Sequence, residues 1–155
     1  MRRALASIDI AAPIEVVWQV MTDLDQYGAW NPFVVRVESI GALAVGARFR
    51  VHVRWADGGK TDAGEIVTRL DAPAGAPGHR QARFAYRFED ALAKLHFVVA
   101  EREQVIEEVG GMTRYSTSEA FGGLLQLGVP LRRVQDGFER QAAALKARAE
   151  SLARS

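Results

Sequence analysis

Glu119 is the residue whose type and setting in this sequence most suggest chemistry. It lies between Thr117 and Phe121 in an alternating segment, Thr113 to Phe121, in which every second side chain should face the same way. A carboxyl group among apolar side chains is desolvated, which raises its pKa and lets it donate a proton or bind a polar ligand group. The alternative is a carboxylate that pairs with an arginine or lies at the edge of a sheet.

Two tyrosines could act beside this carboxyl group. Tyr115 shares the predicted face of Glu119, and Tyr86 lies on another alternating segment. A phenol hydroxyl can donate a hydrogen bond to a ligand carbonyl, although a core tyrosine often bonds to backbone or solvent instead. Acid–base catalysis needs two converging ionisable groups, and the alternation offers Glu119 and Glu101 as carboxylates. Glu119 and Tyr115 are therefore the candidate catalytic residues.

The sequence lacks the residues that several other common kinds of site require. The chain has no cysteine, which excludes disulfides, thiol nucleophiles and thiolate metal sites. The three histidines show no metal-ligand spacing: by alternation His52 and His96 point outward, and His79 lies in a loop. No phosphate loop, dinucleotide fingerprint or nucleophile elbow is present. We expect no metal and no cofactor.

The N-terminal part predicts a short strand and two small helices. The strand covers Leu5 to Ile10, and the first helix runs from Pro13 to about Thr22. Proline suits a first helical turn because its missing N–H costs nothing there. The second helix, Asp23 to Trp30, begins at a residue that can cap it. It ends at Asn31 and Pro32, because the residue before a proline is disfavoured in helical conformation.

After these helices the apolar residues alternate, which predicts strands. A loop rich in proline and glycine is predicted from Asp71 to Gly78. The predicted strands are Phe33 to Ile40, Arg48 to Trp55, Thr61 to Leu70, Arg80 to Phe88, Leu95 to Val109 and Thr113 to Phe121.

One face of these strands is apolar and the other is basic. In the third of these strands, Ile66, Thr68 and Leu70 are predicted to point inward, with Glu65 and Val67 outward. The basic face is expected to be solvated, with cross-strand partners such as Glu65, or else to dock an acidic partner. Its arginines are Arg48, Arg50, Arg54, Arg83 and Arg87.

A single amphipathic helix, from about Val129 to Leu152, follows the strands. The fold class is α+β: a curved antiparallel sheet of about seven strands around a long C-terminal helix, with two short helices after the first strand. One helix covers only part of such a sheet, so inward side chains should line a cavity. The predicted lining is Trp30, Phe33, Phe49, Val51, Val53, Trp55, Ile66, Phe84, Tyr86, Phe88, Phe97, Tyr115, Thr117, Glu119, Phe121, Val134 and Phe138. The alternative is that many of them are plain core.

Four segments resemble one known superfamily. They are DIAAPIEVVW at Asp9 to Trp18, YGAWNPF at Tyr27 to Phe33, TRYSTSEAFGGL at Thr113 to Leu124, and the tail at Gly137 to Glu150. These are similar to the START-like superfamily, also called SRPBCC or Bet v 1-like, and especially to its small bacterial single-domain members. The resemblance implies one domain over residues 1–155, the helix-grip fold and an apolar pocket between sheet and helix. Relatives often carry a histidine where this chain has Thr117, which makes catalysis less favoured.

The superfamily includes lipid carriers, quinone-binding proteins and polyketide cyclases, and three functions follow as hypotheses. The first is the binding of a hydrophobic small molecule, such as a lipid, a quinone or a polyketide-like aromatic. The alternative is an aromatic polyketide cyclase/dehydratase that uses pocket acid–base residues, so the question of an enzyme stays open. The third is a protein-interaction module, co-chaperone or toxin-like, that uses the basic face.

Charge and hydropathy limit the partners. The 155 residues carry 20 basic and 19 acidic side chains, and this net charge of +1 predicts no nucleic-acid partner. No apolar run approaches the roughly 20 residues that span a bilayer, so no stable membrane insertion is expected. We expect a cytoplasmic protein. The oligomeric state is open, with a homodimer as one alternative.

Overall fold

The computed structural model describes residues 2–39, 41–95 and 98–155. It begins with strand β1 (Arg2–Ile10), helix α1 (Ile14–Thr22), a single 3₁₀ turn and helix α2 (Tyr27–Trp30). Asp23 occupies the position before the 3₁₀ turn, but its side chain makes no capping hydrogen bond, so that predicted role is wrong. The predicted break after Trp30 is confirmed.

Asn31 turns the chain from α2 into the sheet. Its side-chain Oδ1 accepts hydrogen bonds from the backbone N–H groups of Phe33 and Val34, at 3.0 Å and 2.9 Å. These amides are buried and would otherwise lack a partner in the turn. The asparagine therefore fixes the position of Phe33 at the start of the next strand.

The sheet has seven antiparallel strands in the order β1-β7-β6-β5-β4-β3-β2. This agrees with the predicted architecture. The remaining strands are β2 (Val34–Ser39), β3 (Arg48–Arg54), β4 (Lys60–Ala74), β5 (Gln81–Phe88), β6 (Val99–Val109) and β7 (Met112–Gly122).

Two segments differ from the prediction. Strand β4 continues to Ala74, so the predicted loop from Asp71 is shorter than expected, because those residues pair with β5. Strand β6 begins at Val99, and a short helix α3 (Ala91–Lys94) precedes it. His96 and Phe97 lie outside the described residues, so their predicted orientations stay predictions.

The inward face of β4 is also different from the prediction. Ile66 lies opposite Arg48 and therefore on the outer face, whereas Glu65 lies opposite Phe49 on the inner face. The predicted orientations of Ile66, Glu65 and Val67 are wrong, since Val67 is also buried, opposite Tyr86. A bulge between Val67 and Arg69 then shifts the alternation by one residue, which a pattern of alternating residues cannot reveal.

Helix α4 (Leu131–Arg154) packs across the concave face of the sheet. Its buried face is Val134, Gly137, Phe138, Gln141, Ala142, Leu145 and Ala149. Gly137 allows a close approach, because a Cβ atom there would lie 2.3 Å from Cε1 of Phe33. The glycine thus lets the ring of Phe33 lie directly against the helix.

Two of the arginines on the outer face are paired with neighbouring carboxylates. Arg48 contacts Glu89 at 2.6 Å, and Arg50 contacts Asp62 at 2.6 Å and Asp90 at 3.1 Å. The predicted partner Glu65 faces the interior instead. Within the described part of the chain, no helix is long and apolar enough to cross a membrane.

Candidate functional site

A cavity of about 240 Å³ lies between the sheet and α4. Ligand pockets commonly measure about 300 Å³ or more, so this one suits a small ligand. Its apolar walls are Phe33, Val34, Val51, Val53, Trp55, Ala63, Phe88, Val98, Ala100, Phe121, Val129, Pro130, Val134 and Phe138. Its polar residues are Thr61, Glu65, Tyr86, Arg102 and Glu119.

Most of the predicted lining reaches this cavity. The predicted residues found in its wall are Phe33, Val51, Val53, Trp55, Tyr86, Phe88, Glu119, Phe121, Val134 and Phe138. The predicted residues that do not line it are Trp30, Phe49, Ile66, Phe84, Tyr115 and Thr117. Phe97 is outside the described residues. The geometry brings strands β2 to β7 together with α4 around one space.

The residues that miss the cavity belong to the packed interior, apart from Ile66. Phe49 and Phe84 pack against Tyr86, with ring centroids 5.1 Å from the tyrosine in each case. Trp30 packs edge-on against Tyr27 at 5.1 Å. These aromatic residues are therefore part of the packed core. Alternation predicts that a side chain points inward, but it does not predict whether α4 covers that side chain or leaves it beside an open space.

Tyr115 is held deeper in the core, away from the cavity. Its hydroxyl donates a 2.6 Å hydrogen bond to Oε1 of Gln104, which also accepts a 3.4 Å hydrogen bond from Nε2 of Gln141. All three side chains are buried. The placement of Tyr115 beside Glu119 in the cavity wall is therefore wrong, because the two lie at different depths.

Arg102 is the cation of the site. It lies on β6 directly opposite Tyr86 of β5 and Glu119 of β7, and it is only 4% exposed. Its Nε donates to Oγ1 of Thr117 at 3.0 Å, and its Nη1 donates to the hydroxyl oxygen of Tyr86 at 3.1 Å. Its Cζ lies 4.2 Å from the ring centroid of Phe138. The second terminal nitrogen, Nη2, is buried and has no hydrogen-bond partner within the described residues.

Two carboxyl groups share the cavity with this cation. Burial raises the pKa of Glu119 to about 7, although the charge of Arg102 acts in the opposite direction. Burial also raises the pKa of Glu65 well above its usual range, the charge of Glu119 adds to this, and Arg102 again opposes it. Among the described residues neither carboxyl group forms an ion pair with Arg102. Near neutral pH Glu119 is therefore partly protonated, and the raised pKa of Glu65 favours its neutral form.

Arg102 and Tyr86 keep their ordinary charge states. Burial opposes the charge of Arg102, but the phenols of Tyr86 and Tyr115 and the carboxyl of Glu119 outweigh it and raise the arginine pKa. Burial raises the pKa of Tyr86 as well, so its hydroxyl remains neutral. The site thus combines a cation with neutral hydroxyls, two carboxyl groups whose pKa values are raised, and apolar walls.

Sequence reasoning missed Arg102 and Glu65. The signal for Arg102 was present, since Ala100, Arg102, Gln104 and Ile106 form the buried face of β6. It was hidden because the predicted strand started at Leu95 and was irregular. Glu101, the predicted second carboxylate, is exposed on the outer face, so that prediction is wrong.

No group of three or more histidine, aspartate or glutamate side chains that could hold a metal ion occurs in the residues that the structure describes. His52 contacts Glu38 at 3.0 Å on the outer face of the sheet. The polar residues of the cavity are an arginine, a tyrosine, a threonine and two glutamates, which suit an organic ligand better than a metal ion.

Comparison with known proteins places this cavity in a family context. The model of the family described as "Polyketide cyclase / dehydrase and lipid transport" matches residues 1–150. The oxopyrrolidines biosynthesis cluster protein O of Penicillium oxalicum is 30% identical over 83 residues. That match covers 44% of this chain and 41% of the relative, so the chain corresponds to less than half of that protein.

Two solved structures share the fold. A START superfamily protein from Mycobacterium smegmatis is 20% identical, with a TM-score of 0.69 and coverage of 97% of this chain and 98% of that chain. The major latex-like protein 151 of Panax ginseng is 11% identical, with a TM-score of 0.71 and coverage of 99% and 98%. At these identities the likeness concerns the helix-grip fold. The match to the family model shows that the chain belongs to the polyketide cyclase / dehydrase and lipid transport family. This family is part of the START-like (SRPBCC, Bet v 1-like) superfamily, whose members bind hydrophobic ligands or act as polyketide cyclases.

Proposed function

We propose that the protein binds a hydrophobic small molecule in the cavity beneath α4. The observation that carries this proposal is the cavity wall, in which aromatic and aliphatic side chains from six strands and α4 surround a space of about 240 Å³. Binding of an apolar ligand is favourable here, because it removes the surface of these side chains and of the ligand from water. A lipid, a quinone or a polyketide-like aromatic would use the same wall.

The proposal is tested by filling the cavity without changing its charge. Ala100 lies in the wall on β6, whereas Ala143 is exposed on α4. Ala100→Leu should weaken binding of apolar compounds, and the same substitution at Ala143 should leave it unchanged. Binding is measured by thermal shift, since a ligand at a hundred times its dissociation constant stabilises by about 2.7 kcal/mol.

The protein can be purified under native conditions and then denatured, and mass spectrometry of the released compounds would identify the chemical class of the bound ligand directly. A wild-type protein that carries no ligand and that no lipid, quinone or aromatic stabilises would overturn the proposal. Equal binding by the Ala100→Leu and Ala143→Leu variants would place the ligand elsewhere on the molecule.

The second candidate function is a polyketide cyclase/dehydratase. Acid–base catalysis needs converging ionisable groups, and Glu65, Arg102 and Glu119 all face the same cavity. In this alternative, the carboxyl groups would move protons during aldol closure of a poly-β-ketone. If Glu119→Gln turns over a supplied polyketone as fast as the wild type, the role of Glu119 in this candidate fails.

The protein-interaction hypothesis has less support. Arg48 and Arg50 are satisfied by carboxylates of this chain, which leaves less basic surface for an acidic partner. A pull-down that survives charge reversal at Arg50, Arg54 and Arg83 would contradict it. Cytoplasmic location and a homodimer stay predictions.

A further inference from the structure

We propose that the ligand of this cavity carries one anionic head group, in its simplest form a carboxylate, that accepts a hydrogen bond from Nη2 of Arg102. The inference rests on the proposed function, since it names the chemical class of the molecule held in the same cavity. It concerns the polar end of that molecule, whereas the proposed function concerns its apolar body.

The first argument is an unpaired donor. Nη2 of Arg102 is buried and has no partner within the described residues, while Nε and Nη1 are both bonded. Buried polar groups in folded proteins are normally hydrogen-bonded, and each exception needs an explanation. Arg102 lines the cavity, so a small movement of its guanidinium would bring Nη2 to an acceptor on the ligand, which would supply the missing bond.

The second argument is an unpaired charge. Buried cations in proteins are normally paired with an anion. The groups that contact Arg102 are the hydroxyls of Thr117 and Tyr86 and the face of Phe138, and none of these contacts supplies a negative charge. A single negative charge in the cavity would therefore complete the site.

The third argument is the shape of the space. Arg102 lies in the buried wall, whereas Pro130, which also borders the cavity, is exposed. A ligand would thus enter with its acidic head toward Arg102 and extend its apolar body past Val129 and Pro130 toward solvent. This orientation buries the charge where it is compensated and leaves the apolar body against the apolar wall.

Protonation of the neighbouring carboxyl groups should affect this binding. The ionisable side chains that share the cavity with Glu119 are Arg102 on β6, Glu65 on β4 and Tyr86 on β5. Helix α4 adds no ionisable group, since its residues in the wall are Val134 and Phe138. When Glu119 ionises, it competes with the ligand for Arg102 and repels a second negative charge. A carboxylate ligand should therefore bind more weakly at about pH 8 than at about pH 6, and Glu119→Gln should flatten this dependence.

The test compares two ligands that differ only in the head group. Decanoic acid and 1-decanol have the same apolar chain, and only the acid is charged at neutral pH. We expect the acid to bind the wild type about tenfold or more tightly, by titration calorimetry or by displacement of a fluorescent apolar probe. Arg102→Met should abolish this preference, because it should weaken binding of the acid much more than binding of the alcohol; the readout is the ratio of the two affinities. The matched control is Arg87→Met on the exposed outer face, which should keep the preference.

The outcomes separate this inference from the proposed function. If the wild type binds the alcohol as tightly as the acid, the inference is overturned and the apolar cavity remains. If neither compound nor any apolar compound binds, the proposed function fails and the inference fails with it. Because the comparison of the two ligands on the wild type decides the question alone, a poorly folded Arg102→Met variant does not remove the test.

Discussion

At the scale of single residues, the unusual feature is a cation and two carboxyl groups that share a buried space without forming an ion pair. Arg102 and Glu119 are directly opposite in neighbouring strands, yet no ion pair joins them in the described structure. Desolvation explains the carboxyl side of this arrangement, because it favours the neutral acid. The arginine keeps its charge, so the site holds a positive potential inside an apolar wall.

The raised pKa of Glu119 predicts how stability depends on pH. In the unfolded chain the pKa of this carboxyl group is near its ordinary value of 4.5, and in the folded protein burial raises it to about 7. Between those values the folded state binds more protons, so the free energy of unfolding falls as pH rises through this window and levels off above it. Glu65 acts in the same direction. Glu119→Gln should remove up to about 3 kcal/mol of this decrease, since one pKa unit is worth about 1.4 kcal/mol.

Urea unfolding of the wild type and the variant at several pH values between about 4 and 8 measures this effect. The control is Glu101→Gln, because Glu101 lies on β6 but is exposed on the outer face. A Glu119→Gln variant with the same pH profile as the wild type would mean that Glu119 titrates normally in the folded protein.

At the scale of elements, the turn after α2 depends on one side chain. Oδ1 of Asn31 accepts the backbone N–H groups of both Phe33 and Val34. Asn31→Ala leaves these buried donors unpaired, at a cost of about 1–3 kcal/mol each before the turn relaxes. Asn31→Asp keeps an acceptor in the same place and should restore most of this loss. Urea unfolding of both variants distinguishes a lost acceptor from a general disturbance of the turn.

The contact between α4 and Phe33 gives a second prediction for an element. Glycine within a helix usually costs about 1 kcal/mol relative to alanine, so Gly→Ala would normally stabilise α4. At Gly137 the added Cβ would meet the ring of Phe33 at 2.3 Å, so Gly137→Ala should instead destabilise by about 1–3 kcal/mol.

Because Phe33 also lines the cavity, Gly137→Ala should weaken ligand binding as well. Gly128→Ala is a suitable control, since nothing lies within 4 Å of a Cβ atom built there. A stabilised Gly137→Ala variant would show that Phe33 moves away without loss.

At the scale of the whole molecule, the fold could be predicted from the sequence and the site only in part. Alternation placed Tyr86, Glu119 and Phe121 correctly, because one period of two residues governs β5 and β7 throughout. It failed for Glu65 and Ile66, because the bulge between Val67 and Arg69 shifts the register within β4. A bulge inserts one extra residue into a strand, and the amino-acid composition of the segment does not reveal it.

The depth of a residue in the core could not be predicted at all. Tyr115 and Glu119 share a face of β7. Tyr115 is buried beside Gln104 and Gln141, whereas Glu119 borders the cavity. Which of them meets open space depends on where α4 crosses the sheet, and this is a tertiary property. The register of β6 and β7 places Arg102 directly opposite Glu119, and this register could not be derived from the irregular pattern of the predicted strand.

The two faces of the sheet use arginine in opposite ways, and this separates stability from binding. Arg50 on the outer face joins Asp62 and Asp90 in partly exposed ion pairs, which typically contribute about 0–1 kcal/mol and weaken in salt. Arg50→Gln should therefore reduce stability only slightly at low salt and by less in about 1 M NaCl.

Ligand affinity should not change in this variant, because Arg50 does not line the cavity. Arg54→Gln serves as the control, since Arg54 forms no ion pair with any described residue, and its substitution should stay within about 0.5 kcal/mol. Urea unfolding at two salt concentrations, together with ligand titration, tests both parts. A changed affinity in Arg50→Gln would mean that the outer face is coupled to the cavity through the sheet, and the separation of the two faces would then be wrong.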